Sequence, residues 1–415
     1  MRRLLIDLRR RAQTAVLRVI RSSPVFPKSL VDRQGEDVRL ASSSLDATVM
    51  VYFPGAPDTL YQVVPWLPTF EAVHAAHRAV VVCQDSRVAA SIQAVSTVPV
   101  VTVARYGTLD GLLARSDVKV ALYVSHQPRN FENLRFASLL HAYIGHGDSD
   151  KGVSASNQLK AYDYVFAPGR AAVDRITRRL MRFDAAAHTI VVGQPVTLSA
   201  VASDPPSEVR TTVLYAPTWE GAQPSVAYSS VLSHGLAVVA ALLRDPRFRV
   251  LYRPHPLTGV TSRDYALADD AIRTAIAAAG APHETVLADQ EPLESSFARS
   301  GVLVADVSAV ATAWLPSLRP VIVTKADGEA VSADSGMLGV VPRLVVGDAA
   351  ATPTVVAEAI ADVGGRAARS ALVAYYLSEY WPDRSQERFV HVVGEVLAER
   401  DRLRDALVEA GATGT

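Results

Sequence analysis

The stretch Gly145-His146-Gly147-Asp148-Ser149-Asp150-Lys151 sets an imidazole between two glycines and follows it with two acids and a lysine. Helices avoid such glycine spacing, and a strand interior gains nothing from Asp-Ser-Asp. The segment is therefore expected as a loop leaving the apolar run "LLHAYI". A histidine with an ordinary pKa near ~6.5 accepts a proton from an attacking hydroxyl at neutral pH. Gly145 and Gly147 let backbone and ligand come close to the ring. Asp148 and Asp150 either orient the ring or cap the next helix. Asp148-Ser149-Asp150 also has the spelling of a divalent-cation site, but three-letter acidic patterns arise often by chance, and no metal is expected.

Four elements of the second half lie just past the end of an apolar strand: Thr218-Trp219-Glu220, Arg253-Pro254-His255-Pro256, Asp289, and Asp306-Val307-Ser308. In a doubly wound sheet the carboxyl ends of the strands converge on one crevice. Arg253 and His255, stiffened by prolines, suit a pyrophosphate. Ser308 precedes "AVATAWL", so its hydroxyl and the following backbone N–H groups, beginning with Ala309, suit phosphate oxygens. The plainer alternatives are that Ser308 only caps its helix and that His255 only bonds within its loop.

These residues need a scaffold that repeats strand and helix. From Asp46 onward "ATVMVYF", "RAVVVCQ", "VPVVTVA" and "KVALYVS" read as strands with helical stretches between them. Continuous apolar runs of this kind imply a parallel sheet covered on both faces. Residues 199–210 are rich in Ser, Pro and Asp and read as a linker, after which a second strand-helix series begins at "TTVLYAPTW". The expected organisation is α/β: a basic amphipathic helix over 1–25, a Rossmann-like domain over 26–198, the linker, a second Rossmann-like domain over 211–385, and a C-terminal helix over 386–415. The two domains are expected to face a cleft. Neither half has GxGxxG after its first strand, so a dinucleotide fingerprint is absent.

Lys and Arg number 42, as do Asp and Glu, so no overall field recruits nucleic acid. The one cysteine, Cys83, excludes an internal disulfide and a cysteine zinc site, and a reducing cytoplasm is the consistent compartment. No apolar run approaches the ~20 residues of a membrane span. Residues 1–24 carry seven arginines against Asp7, with Leu4, Leu5, Leu8, Val16, Val19 and Ile20 at roughly helical spacing. That pattern is expected to lie on an anionic membrane surface through residues 1–23; a solvated helix packed on the body is the alternative.

With these residues assembled, the chain resembles the CDP-glycerol:poly(glycerophosphate) glycerophosphotransferases of teichoic acid synthesis. "GHGDSDK" resembles the family's HGTPLK segment, "VLYAPTWEG" its YAPTWRD, "YRPHP" its HP element and "ADVSAV" its DYSS element. "RPVIV" resembles its KPVI strand, and "DRSQERF" loosely resembles a closing segment. The resemblance implies a GT-B architecture with an acceptor-binding first domain, a nucleotide-binding second domain and terminal helices that cross back.

It further implies His146 as general base, with Asp148 and Asp150 beside it, and acceptor contacts from Gly145, Gly147 and Lys151. Thr218, Trp219, Arg253, His255, Asp306, Ser308, Ala309, Ser385 and Arg388 would hold the donor. No cofactor or metal is implied. The expected reaction moves a polyol phosphate from a CDP-alcohol to a hydroxyl of a lipid-linked or polymeric acceptor, at the inner face of the cell membrane. A GT-B glycosyltransferase using a nucleotide sugar is the alternative, followed by a nucleotide-sugar epimerase or a non-catalytic binding relative. The family's Thr-Pro-Leu is replaced by Asp148-Ser149-Asp150, and its Arg-Asp by Glu220-Gly221.

Overall fold

Each apolar run becomes a parallel strand in the computed structural model, which describes residue 32 and residues 34–195, 209–221, 227–325 and 336–411. The basic N-terminal segment and most of the linker lie outside the described residues. The first sheet comprises Val49–Phe53 (β1), Ala79–Cys83 (β2), Val100–Thr102 (β3), Val120–Tyr123 (β4), Leu140–Tyr143 (β5), Tyr164–Ala167 (β6) and Thr189–Val191 (β7), in the order β3-β2-β1-β4-β5-β6-β7. The second comprises Thr211–Ala216 (β8), Phe248–Tyr252 (β9), Glu284–Thr285 (β10), Val302–Asp306 (β11), Val321–Lys325 (β12) and Arg343–Val345 (β13), in the order β10-β9-β8-β11-β12-β13. All strand pairs are parallel.

Every residue of β1, β2, β4 and β11 is buried, which is why these strands read as unbroken apolar runs rather than alternating ones. Cys83 is among them, fully buried, with its thiol pushed up by burial. Strand order reverses between β1 and β4 in one sheet and between β8 and β11 in the other. These switch points are where ligands bind open α/β sheets, beyond the carboxyl ends of the strands.

The chain forms two compact units. One holds the first sheet and gathers Lys28–Gly147, Ala155–Thr197 and Ala374–Thr415; the other holds the second sheet and includes Asp148–Ser154 and Leu198–Val373. The glycine-flanked loop is thus divided between them, its histidine with the first sheet and its acids and lysine with the second. The last helix, Ser385–Glu409, returns to the first-sheet unit, where Phe389 lies 5.3 Å from Trp66 between ring centroids and the His77 ring donates to the Val390 carbonyl at 3.1 Å. Asp289, expected at the crevice, is an exposed turn residue beyond β10, the two-residue edge strand, and so lies away from the β8/β11 switch point.

Candidate active site

In the first-sheet unit His146 leaves the carboxyl end of β5. Its Nδ1 lies 3.2 Å from the carbonyl oxygen of Val124, just past β4. A carbonyl only accepts, so Nδ1 carries the proton of the neutral ring and Nε2 presents the lone pair. Tyr61 meets the ring edge-on at 6.0 Å. Gly145 has φ of 68°, a left-handed backbone that glycine adopts without strain and that turns the chain out of the strand. The Val124 carbonyl thus orients the His146 ring. Asp150 accepts from the Met337 N–H at 3.4 Å.

His126 was missed by the sequence reading, although it follows β4 at the switch point and the same strand-end rule points to it. Its ring stacks on Tyr143 at 4.2 Å, and both ring nitrogens are buried with no hydrogen-bond partner among the described residues. Burial, with a smaller contribution from the charge of His146, holds its pKa down to about 4. The unfolded chain takes up this proton near ~6.5. Between the two values the unfolded state binds the additional proton, so the contribution is fully present above ~6.5 and is lost as pH falls toward 4. It amounts to about 3 kcal/mol over that range. Burial shifts His141 the same way, so the measurement is a difference: His126→Phe should flatten part of the acid limb of melting temperature against pH. An unaltered limb would contradict a neutral, buried His126.

In the second-sheet unit the two strands at the switch point are tied together. Asp306, at the end of β11, accepts from the backbone N–H of Thr218 beyond β8 at 2.7 Å, from Ser230 N–H at 3.2 Å and from the Thr324 hydroxyl. It is fully buried, and burial raises its carboxyl above the usual range. Asp306, expected as a donor contact, is therefore the fastener that positions Thr218. Lys151 donates to Thr218 Oγ1 at 2.8 Å and lies 5.6 Å above the Tyr228 ring, whose hydroxyl accepts from the Gly152 N–H at 2.9 Å. Lys151, expected with the acceptor, belongs to this unit and brings its cation to the end of β8.

Glu220 explains one departure from the family's pattern. Its buried carboxylate accepts from the backbone N–H groups of Gly259, Thr261 and Ser262 at 3.0–3.1 Å, and from the Thr261 hydroxyl at 2.9 Å. It thereby pins the segment that follows Arg253-Pro254-His255-Pro256 to the start of the helix Arg263–Ala279. His255 accepts the Leu257 N–H on Nδ1 at 3.1 Å, which leaves the proton of a neutral ring on Nε2, and the ring stacks on Trp219 at 6.2 Å. Ser308 does not cap the helix Ala309–Trp314; its hydroxyl is buried without a hydrogen-bond partner among the described residues.

Three expected donor contacts are placed differently. Arg253 is buried, with its guanidinium donating to Ser296 Oγ at 3.0 Å and to the Glu291 carbonyl at 2.9 Å, so it anchors the helix Leu293–Ala298. Burial holds its pKa below the usual arginine range. Ser385 and Arg388 lie in the first-sheet unit, because the last helix packs there. Ser385 abuts Gly193, where a Cβ would come within 2.4 Å of its hydroxyl oxygen, and Arg388 pairs with Glu395 at 3.3 Å.

Two Rossmann-like units with parallel sheets of this topology define an architecture of the GT-B type. The family model described as CDP-Glycerol:Poly(glycerophosphate) glycerophosphotransferase matches residues 150–393, and the chain belongs to that family. The match covers more than half of the chain and begins just past His146. No curated protein matches the sequence significantly.

Among solved structures, a glycosyltransferase from Rickettsia africae is similar with a TM-score of 0.56 and 11% identity, covering 85% of this chain and 98% of that one. The wall teichoic acid polymerase TagF, soaked with CDPG, is similar with a TM-score of 0.52 and 13% identity, covering 95% of this chain and 98% of that one. A protein from Listeria monocytogenes described as a putative UDP-N-acetylglucosamine 2-epimerase is similar with a TM-score of 0.56 and 12% identity, over 85% and 96% of the two chains. At these identities the likeness is one of fold.

Proposed function

We propose that the protein transfers glycerol phosphate, or a closely related polyol phosphate, from a CDP-alcohol to a hydroxyl of a cell-wall polymer, and releases CMP. The observation that carries this reading is the grouping of Lys151, Thr218, His255 and Ser308 in the second-sheet unit, within the segment matched by the family model. His146 Nε2 removes the proton of the acceptor hydroxyl. The oxygen attacks the β-phosphorus of the donor, the bond from that phosphorus to the bridging oxygen breaks, and CMP leaves with the bridging electrons. The Lys151 ammonium, the His255 Nε2–H and the Ser308 hydroxyl donate to the pyrophosphate as charge shifts onto it. Thr218, Trp219 and Asp306 hold these groups in place. The reading involves no metal ion.

Thermal-shift measurements against CMP, CDP-glycerol, CDP-ribitol, UDP and GDP test the donor, because a ligand that binds only the folded protein raises its melting temperature by mass action. CDP-glycerol or CDP-ribitol should give the largest shift, and His255→Ala should reduce it, in keeping with a charge-assisted contact worth about 1.5–3 kcal/mol. A larger shift with UDP would favour a nucleotide-sugar glycosyltransferase. None of the described helices is long and apolar enough to cross a membrane. The arginine-rich segment 1–23 is the proposed contact with an anionic membrane on which a lipid-linked acceptor resides. Equal binding to neutral and anionic liposomes would contradict that contact.

A further inference from the structure

At the carboxyl end of the first sheet, two hydrogen bonds join segments that leave different strands. β1 stands between β2 and β4. Gln84 directly follows β2, and its Oε1 accepts from Nη1 of Arg129, in the segment after β4, at 2.9 Å. That bond links the strands on the two sides of β1. Gln127, also past β4, donates through Nε2 to Oε1 of Gln62 at 3.4 Å, and Gln62 closes the 3-10 helix Pro57–Gln62 that follows β1. Both bonds therefore belong to the β1/β4 switch point, where open α/β sheets take their ligands.

Arg129 has a built seat. Gln84 is 2% exposed, and its Nε2 donates to the hydroxyl of Tyr52, itself 1% exposed, at 2.5 Å. Burial pushes the Tyr52 phenol up, with Glu132 and Arg129 acting on it in opposite directions, so the relay ends in a neutral hydroxyl. The segment that carries the guanidinium is pinned as well. The side chain of the buried Asn130 donates to the Ser125 carbonyl at 2.7 Å and to the Tyr162 hydroxyl at 3.0 Å. An arginine that only has to face water needs no such support.

The seat leaves the charge in place. Gln84 satisfies one N–H of Arg129 with a neutral oxygen, and among the described residues no carboxylate forms an ion pair with the guanidinium. A guanidinium does not discharge by losing its proton, and its remaining N–H groups match phosphate oxygens in pairs. The charge is also remote from the reacting atoms. Between β2, which ends at Gln84, and β5, which leads to His146, lie three strand spacings, or ~14 Å. That separation suits a group carried behind the acceptor hydroxyl, not the phosphorus that is attacked.

We infer that Arg129 binds a phosphate of the acceptor, one already present behind the hydroxyl that His146 deprotonates. The identity of the acceptor rests on the reaction proposed above; the anion contact of Arg129 does not. In that reaction every transfer leaves a phosphodiester behind the new terminal hydroxyl, so an acceptor that has been extended once always offers such a group. Arg129 thereby favours a phosphate-bearing acceptor over a glycan that lacks phosphate.

The test uses the full-length protein and a fluorescently labelled glycerol phosphate oligomer, read by anisotropy. Arg129→Gln should weaken oligomer binding about tenfold or more, Arg129→Lys should lose less, and the wild-type affinity should fall as salt rises. The melting temperature of Arg129→Gln and its thermal shift with CDP-glycerol should stay near those of the wild type, because the proposed donor contacts lie in the other unit. Oligomer affinity unaltered in Arg129→Gln would overturn the inference. So would a phosphate-free polyol oligomer that binds the wild type as tightly, and a carboxylate-bearing oligosaccharide that competes equally would overturn the assignment to phosphate. A wild-type protein that ignores CDP-glycerol yet binds the oligomer through Arg129 would defeat the proposed reaction and leave the anion contact standing.

Discussion

Replacing His146 with alanine should lower acceptor-dependent CMP release by a factor on the order of 10² to 10⁴ and leave donor affinity nearly unchanged. The size of the effect follows from the role of the ring. A neutral imidazole whose Nδ1–H is held by the Val124 carbonyl keeps its lone pair on Nε2, and in the proposed reaction that nitrogen takes the acceptor proton as the oxygen attacks. The proposed donor contacts lie in the other unit, on Lys151, His255 and Ser308, so they should survive the substitution. His146→Asn should lose as much activity as alanine, because an amide fills similar space without a basic nitrogen. A variant that keeps more than about a tenth of the rate would remove His146 from the role of base.

Glu220→Ala should destabilise the second-sheet unit by about 2–4 kcal/mol and weaken donor binding at the same time. The carboxylate is buried and receives four hydrogen bonds from Gly259, Thr261 and Ser262. Its loss strands three backbone N–H groups and releases the segment that positions His255. Glu220→Gln keeps the volume but replaces one accepting oxygen with an NH₂ group, so it should fall between the two. Thermal melts and CDP-glycerol titrations of the two variants check this. A donor affinity unchanged in Glu220→Ala, with a melting temperature also unchanged, would mean that the carboxylate does not shape the pocket.

Much of this arrangement was legible in the sequence, for a physical reason. Strands buried on both faces must be apolar throughout, so β1, β2, β4, β8 and β11 stood out as unbroken runs. The carboxyl-end rule then put His146, Thr218, His255 and Ser308 just past strand ends, where the structure has them. For Arg253 and Asp306 the same rule gave the position and not the partners, because sequence order does not say which way a side chain turns. Arg253 turns inward to Ser296 and Glu291, and Asp306 turns sideways to Thr218 and Ser230. For Ser385 and Arg388 the sequence left the packing open for another reason. They open a long helix whose apolar stripe, including Phe389 and Val393, shows that it must pack but not on which unit. His126 lacked flanking glycines or prolines to draw notice, and its significance lies in its burial and in the stack on Tyr143, neither of which a local window reveals. Lys151 was assigned with its loop, whereas the boundary between the two units falls inside that loop.

The central claim is a phosphoryl transfer that forms a phosphodiester and expels CMP. The most direct measurement is ³¹P NMR of the full-length protein incubated with CDP-glycerol and a glycerol phosphate-primed acceptor. The account predicts that CMP and a new phosphodiester resonance grow in equal amounts, and only when acceptor is present. Turnover of a nucleotide sugar in place of CDP-glycerol, or CMP release that yields free glycerol phosphate at the same rate without acceptor, would contradict it.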